Sequence, residues 1–97
     1  MEFLVEFELS IPDDVEESEV KEREDAEAAA ATTLGREGHL VRVWRSRAAQ
    51  GEAKVLGLYR ADNAQELHQL LVALPLYQWM SVEVTTLEQH PNDPAAS

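Results

Sequence analysis

Phe3, Val5, Phe7 and Leu9 alternate with Glu2, Glu6 and Glu8, the two-residue period of a strand with one dry face, and Leu4 alone interrupts it. After Pro12-Asp13-Asp14 the pattern lengthens to a helical one over residues 15–37. Glu16, Glu17 and Glu19 stand at its start, where the helix dipole favours anions, and Gly38 is in position to end it as a C′ glycine. Residues 39–47, rich in Leu, Val and Trp, and 53–60, rich in Val, Leu and Tyr, predict two strands joined by a hairpin turn through Ala48-Ala49-Gln50-Gly51-Glu52. Asp62 or Asn63 is suited to cap a second helix carrying Leu67, Leu70, Leu71 and Leu74, which Pro75 closes. Val82 and Val84 alternate with Glu83 in a fourth strand from Ser81 to Leu87. A single domain over 1–89 is followed by a tail over 90–97, which carries Pro91 and Pro94 but no apolar run and is expected to lie extended on a neighbour or to be disordered.

Strand, helix, strand, strand, helix, strand is the order of the α+β, ferredoxin-like βαββαβ motif, a four-stranded antiparallel sheet with both helices on one face. The other face would carry mixed residues such as Leu4, Glu6 and Glu83. Either water or a second protomer can cover such a face. A chain of 97 residues buries only about two thirds of its unfolded surface, which favours the second protomer and hence a homo-oligomer.

One position conflicts with the helical pattern. At about 100° per residue, Val20, Glu24, Glu27, Ala31 and Leu34 form one stripe, so a carboxylate lies at the centre of the apolar face. An unpaired buried carboxylate costs several kcal/mol unless it is hydrogen-bonded or protonated. Glu27 is therefore a candidate general base with a raised pKa. The competing reading is that the run Ala28 to Ala31 leaves the helix phase loose and Glu27 points to water.

Charge and composition narrow the partners. With 8 Lys and Arg against 19 Asp and Glu the net charge is −11, which argues against nucleic acid or an anionic membrane surface. No cysteine is present, so thiolate chemistry and disulfides are excluded. No apolar stretch approaches the roughly 20 residues that span a bilayer, and no basic region precedes an apolar run at the N-terminus, so a cytoplasmic protein is expected. His39, His68 and His90 lack ligand-like spacing, which argues against a metal site.

Glu24-Asp25-Ala26-Glu27 leading to Arg36-Glu37-Gly38, the Trp44-Arg45 pair, Glu66-Leu67-His68, the segment Leu74-Pro75-Leu76-Tyr77-Gln78-Trp79-Met80 and the terminal His90-Pro91 together resemble the muconolactone delta-isomerase family over essentially the whole chain. The resemblance implies a ferredoxin-like protomer that pairs and assembles into a ring-like homodecamer, uses no cofactor, and shifts the ring double bond of a small-molecule lactone in catechol breakdown. It also implies that Glu27, reached independently from periodicity, is the base. Removing the activated ring proton gives a dienolate, and returning a proton two carbons away completes the shift, so one carboxylate can serve both steps.

Two further groups are required. The dienolate oxygen needs a donor, for which backbone N–H groups, Tyr59, Tyr77 and Trp79 are candidates. The substrate carboxylate needs a cation, and Arg42, Arg45, Arg47, Lys54 and Arg60 lie in the hairpin region. Arg42 and Arg45 cannot share a face without a bulge, and Arg45 matches the family's Trp-Arg pair. Trp44, Tyr77 and Trp79 are candidates to line the pocket, although aromatics at such positions also serve as core or interface anchors. The chain departs from the family pattern at Leu4 and Arg42, where histidines are usual, in a longer Ser46–Lys54 turn, and in Asn92-Asp93 after His90-Pro91. These departures leave room for a different lactone, for a lactone dehalogenase or cofactor-free monooxygenase on the same fold, and for a non-catalytic oligomeric binding protein.

Overall fold

The computed structural model describes residues 1–47 and 53–96. The elements are β1 (Glu2–Leu9), α1 (Glu17–Arg36), β2 (Leu40–Arg47), β3 (Ala53–Arg60), α2 (Ala64–Val72), a 3₁₀ turn (Tyr77–Trp79) and β4 (Met80–Leu87). The hairpin turn expected at Ala48 to Glu52 lies outside the described residues. All neighbouring strands are antiparallel in the order β2-β3-β1-β4, the ferredoxin-like arrangement.

The alternation in β1 decides the two faces. Phe3, Val5 and Phe7 are buried and meet Leu34 of α1 and Leu67 and Leu71 of α2 in one cluster, so both helices lie on one side of the sheet. Phe3 and Val5 are fully enclosed, and burial of this kind contributes about 1.5–3 kcal/mol per side chain. Leu9, which the pattern assigns to the same dry face, is 47% exposed because the strand ends there and overhangs the core.

Each helix end is fixed by local chemistry. Gly38 has φ +84°, its N–H donates to the Gly35 carbonyl at 3.2 Å, and the His39 N–H donates to the Leu34 carbonyl at 2.9 Å. This pair of bonds is the Schellman stop. At the other end the helix begins at Glu17, two residues later than expected, because Pro12 to Asp14 form a separate turn closed by Val15 N–H on the Pro12 carbonyl. Asn63, rather than Asp62, caps α2: its side chain accepts from Glu66 N–H at 2.8 Å while Glu66 reaches back to Asp62 N–H at 2.9 Å.

Two segments differ from expectation. Pairing of β2 with β3 slips between Leu40 and Arg42, so Val41 is an extra residue. The tail is not simply extended, since Asp93 N–H donates to the His90 carbonyl and Ala96 N–H to the Asp93 carbonyl, giving two successive turns.

The two glycines at the end of α1 should respond oppositely to alanine. Gly38→Ala forces a side chain into left-handed backbone and should destabilise by roughly 1–2 kcal/mol. Gly35→Ala meets only the Leu40 carbonyl oxygen at 3.8 Å and should stabilise by about 0.8–1 kcal/mol through helix propensity. Thermal unfolding should therefore move down for the first and up for the second, and shifts in the same direction would contradict this view of the helix end.

Candidate active site

Val20, Arg23, Glu27, Ala30, Ala31 and Leu34 are the shielded positions along the middle and end of α1. The sequence stripe is thus correct at Glu27 but passes through Arg23, not Glu24, which is exposed. Both steps from Val20 fit a helix, three residues to Arg23 or four to Glu24, and packing selects the first.

Arg23 has a use for that position. Its guanidinium lies 4.8 Å from the centre of the Trp79 ring, donates through Nη1 to the Pro75 carbonyl at 3.1 Å, and is 3.7 Å from Glu19. With the Gln78 amide turned so that its oxygen faces Arg23, that oxygen accepts at 3.2 Å as well. One turn along the helix, Glu27 Oε1 accepts from Leu76 N–H at 3.0 Å. The Pro75 carbonyl and the Leu76 N–H belong to the same peptide group, so α1 holds one peptide plane from both sides.

Between α1 and the helix-facing side of the sheet lies a cavity of about 250 Å³. Glu27 opens into it beside Phe7, Leu40, Val43, Leu76 and Met80. Among the described residues that line it, only Glu27 and Tyr59 carry side-chain oxygen or nitrogen atoms. Burial pushes the Glu27 carboxyl above its ordinary value of 4.5, partly offset by the Leu76 hydrogen bond that favours the anion. Burial likewise pushes Tyr59 up to about 12, with the nearby Glu27 charge adding to the shift.

The other site candidates are dispersed. Arg45 pairs with Val55, a cavity-lining residue, and so stands on the cavity's side of the sheet, exposed beyond Val43. Trp44 pairs with Leu56 on the opposite face, where Arg42 lies 5.1 Å from its ring centre. The extra residue at Val41 causes this: it lets Leu40 point inward while turning Arg42 and Trp44 outward. Trp79 is buried against Arg23, and Tyr77 packs near Leu67 and Leu71 below α2. Neither lines the Glu27 cavity within the protomer. Arg23 escaped the sequence reading, although its spacing of three from Val20 and four from Glu27 was the available signal. His39 Nδ1 lies 2.9 Å from the Arg60 carbonyl, and among the described residues no three His, Asp or Glu side chains converge as a metal would require.

The raised Glu27 carboxyl has a consequence for stability. Above pH 4.5 the unfolded chain loses this proton before the folded one does, so stability falls as pH rises through the window between the two pKa values. Glu27→Gln keeps an oxygen for the Leu76 N–H and removes the buried charge. The variant should be more stable than the parent at neutral pH, with the gap closing as pH falls through that window. Denaturant unfolding across the acid-to-neutral range checks it, and a neutral-pH loss of stability would show that the ionised carboxylate is net stabilising.

Comparison with known proteins agrees with the geometry. Muconolactone Delta-isomerase 1 of Acinetobacter lwoffii is 33% identical over 92 residues, covering 95% of this chain and 93% of that protein. A crystal structure of muconolactone isomerase superposes with a TM-score of 0.85 at 28% identity, covering 100% of this chain and 98% of that one. The 5-chloro-2-hydroxyhydroquinone dehydrochlorinase of Burkholderia phenoliruptrix, at 15% identity, TM-score 0.60 and coverage of 93% and 96%, shares the fold. The sequence profile of the muconolactone delta-isomerase family matches residues 1–93, and the chain belongs to that family.

Proposed function

We propose that this protein is an isomerase that shifts the ring double bond of muconolactone, or of a closely related unsaturated lactone, with Glu27 as the general base. The carrying observation is a single half-buried carboxylate in a cavity that is apolar apart from Tyr59 among its described lining residues and large enough for a small lactone. The relatives named muconolactone delta-isomerase support the same activity.

Glu27 removes the proton from the ring carbon that bears the side chain, and the C–H electron pair moves into the conjugated system to give a dienolate. The protonated carboxyl then returns a proton to the carbon next to the carbonyl, and the double bond settles between the other two ring carbons. Nothing is oxidised overall, and the base is regenerated. Desolvation strengthens the base, while the Leu76 hydrogen bond fixes one carboxylate oxygen and leaves the other directed to substrate. The cavity lining supplies no cation among the described residues, so we assign the substrate carboxylate to Arg45 at the open end. The reaction draws on no cofactor, and the cysteine-free chain suits a reducing cytoplasm.

We also infer a homo-oligomer built from dimers. Leu4, Leu56, Leu58 and Trp44 share the outer sheet face through direct cross-strand pairing, and the ion pairs Lys54–Glu8 at 3.3 Å and Arg60–Glu2 at 3.1 Å border them. Glu6 lies on the same face between Leu56 and Glu83, so the surface is a mixed one, an apolar cluster beside charged groups, as protein interfaces commonly are.

With muconolactone in deuterated water, the parent protein should isomerise substrate and incorporate deuterium to the extent that the carboxyl proton exchanges with solvent. Turnover should rise with pH as Glu27 ionises above its ordinary value. Glu27→Gln should fold yet lose roughly 10²–10⁴ in kcat, Glu24→Gln should lose far less, and Arg45→Ala should act mainly through KM. Near-normal turnover in Glu27→Gln would remove it as the base, and an unchanged KM in Arg45→Ala would remove that arginine from substrate binding. Light scattering should give a multiple of the 10.9 kDa chain mass, and a monomer at micromolar concentration would reject the assembly.

A further inference from the structure

Tyr59 and Gly57 are next-but-one neighbours on the inward face of β3, opposite Phe3 and Val5 of β1. The Tyr59 ring does not stand straight off the sheet but lies back over Gly57. A Cβ added at residue 57 would fall 2.7 Å from Tyr59 Cε1 and 3.2 Å from Cδ1, closer than side chains tolerate, so the ring position depends on residue 57 being glycine. Phe7 supports the ring from the side at a centroid distance of 6.2 Å.

The hydroxyl at the end of this ring is unusual. Tyr59 is only 4% exposed, yet the hydroxyl makes no hydrogen bond to any described residue. Buried tyrosine hydroxyls ordinarily find a partner. It is nevertheless not sealed, because no side-chain oxygen or nitrogen is both enclosed and unpartnered among the described residues, and the residue lines the cavity that Glu27 opens into. The Leu76 N–H beside that cavity is already occupied by Glu27, and Tyr77 and Trp79 lie elsewhere.

We propose that the Tyr59 hydroxyl is the hydrogen-bond donor that receives the dienolate oxygen in the Glu27 cavity, and that Gly57 is the positioning residue that seats its ring. The proposal deepens the lactone-isomerase reading and rests on it for the identity of the reacting oxygen. As Glu27 takes the ring proton, the electron pair moves through the conjugated system onto the former carbonyl oxygen. The Tyr59 O–H hydrogen-bonds that oxygen without transferring its own proton, and the charge returns to carbon when Glu27 gives its proton back. With its pKa at about 12, the hydroxyl keeps its proton throughout the working range and remains a donor. A neutral donor in a largely apolar cavity strengthens as charge develops on its acceptor, which is the condition for acting on kcat rather than on binding.

Tyr59→Phe removes a hydroxyl that has no hydrogen-bond partner among the described residues, so folding should be unaffected, and its melting temperature checks that. With muconolactone, kcat should fall by about 10² while KM stays within about threefold. Gly57→Ala should lower kcat comparably by displacing the ring, and the double variant Gly57→Ala/Tyr59→Phe should be no slower than the slower single variant. A second arm does not depend on isomerase activity. In Glu27→Gln, whose amide stands in for the protonated carboxyl of the intermediate state, 4-nitrophenol should bind with its ionised form favoured over solution, read from phenolate absorbance. Adding Tyr59→Phe should weaken that phenolate binding about tenfold. Phenolate binding that depends on Tyr59 in a protein inactive toward muconolactone would reject the substrate while upholding the donor. A Tyr59→Phe protein with kcat within about twofold of an active parent, or phenolate binding that is absent or unchanged by Tyr59→Phe, would overturn the proposal.

Discussion

The peptide group between Pro75 and Leu76 is the point on which the site depends. Arg23 donates to its carbonyl and Glu27 accepts from its N–H, four residues apart on one face of α1. Opposite charges at that spacing often pair directly on a helix surface. Here the peptide stands between them and satisfies both, so the charged groups are used to dock the segment that follows α2 onto α1. Leu76, a wall of the cavity, is fixed by the same bond that fixes Glu27. The arrangement also resolves a chemical conflict, since a base must be held still without being neutralised. A neutral N–H donor orients one oxygen and lowers the pKa less than burial raises it, whereas a direct arginine contact would have favoured the anion more strongly.

Much of this frame was legible because it follows from short-range periodicity. Alternation in β1 gave its buried face, Gly38 gave the end of α1, and the acidic residue at the centre of a helical stripe gave Glu27. What escaped depended on phase and on contacts between elements. Alanines around Glu27 supply little bulk with which to fix helix rotation, so Glu24 and Arg23 were nearly equivalent until Trp79 and Pro75 came into contact with one of them. Trp44 points away from the cavity because one extra residue at Val41 reverses the alternation of β2, a shift that the sequence of that strand does not mark. Tyr77 and Trp79 separate because they sit in a 3₁₀ turn, whose three residues per turn send positions two apart in different directions.

Charge poses a different problem. A protein of net charge −11 must admit a lactone that carries a carboxylate, next to Glu27, which in its proposed role is itself negative. Long-range attraction cannot help, and the apolar lining offers no compensation. Recognition of the anion must come from cations held near the open end, and the register of β2 puts Arg45 and Arg47 on that side of the sheet while sending Arg42 to the other. The bulge that turns Trp44 away is thus the same feature that directs Arg45 toward the cavity's face.

The protomer leaves that open end apolar. Leu9, Val43 and Val55, all cavity residues, are 47%, 52% and 39% exposed, which weakens desolvation of Glu27 in an isolated chain. A general base that relies on a dry environment gains strength from any surface that covers these residues, provided a path for the lactone remains. Covering the outer sheet face alone would not do this, because Leu4, Leu56 and Leu58 lie on the far side of the sheet from the cavity. Assembly that merely pairs sheets would therefore stabilise the fold and leave Glu27 half-hydrated. Assembly that also brings a second contact to the open end of the cavity would couple oligomerisation to the basicity of Glu27, so that the same surfaces that complete a small core also complete the site.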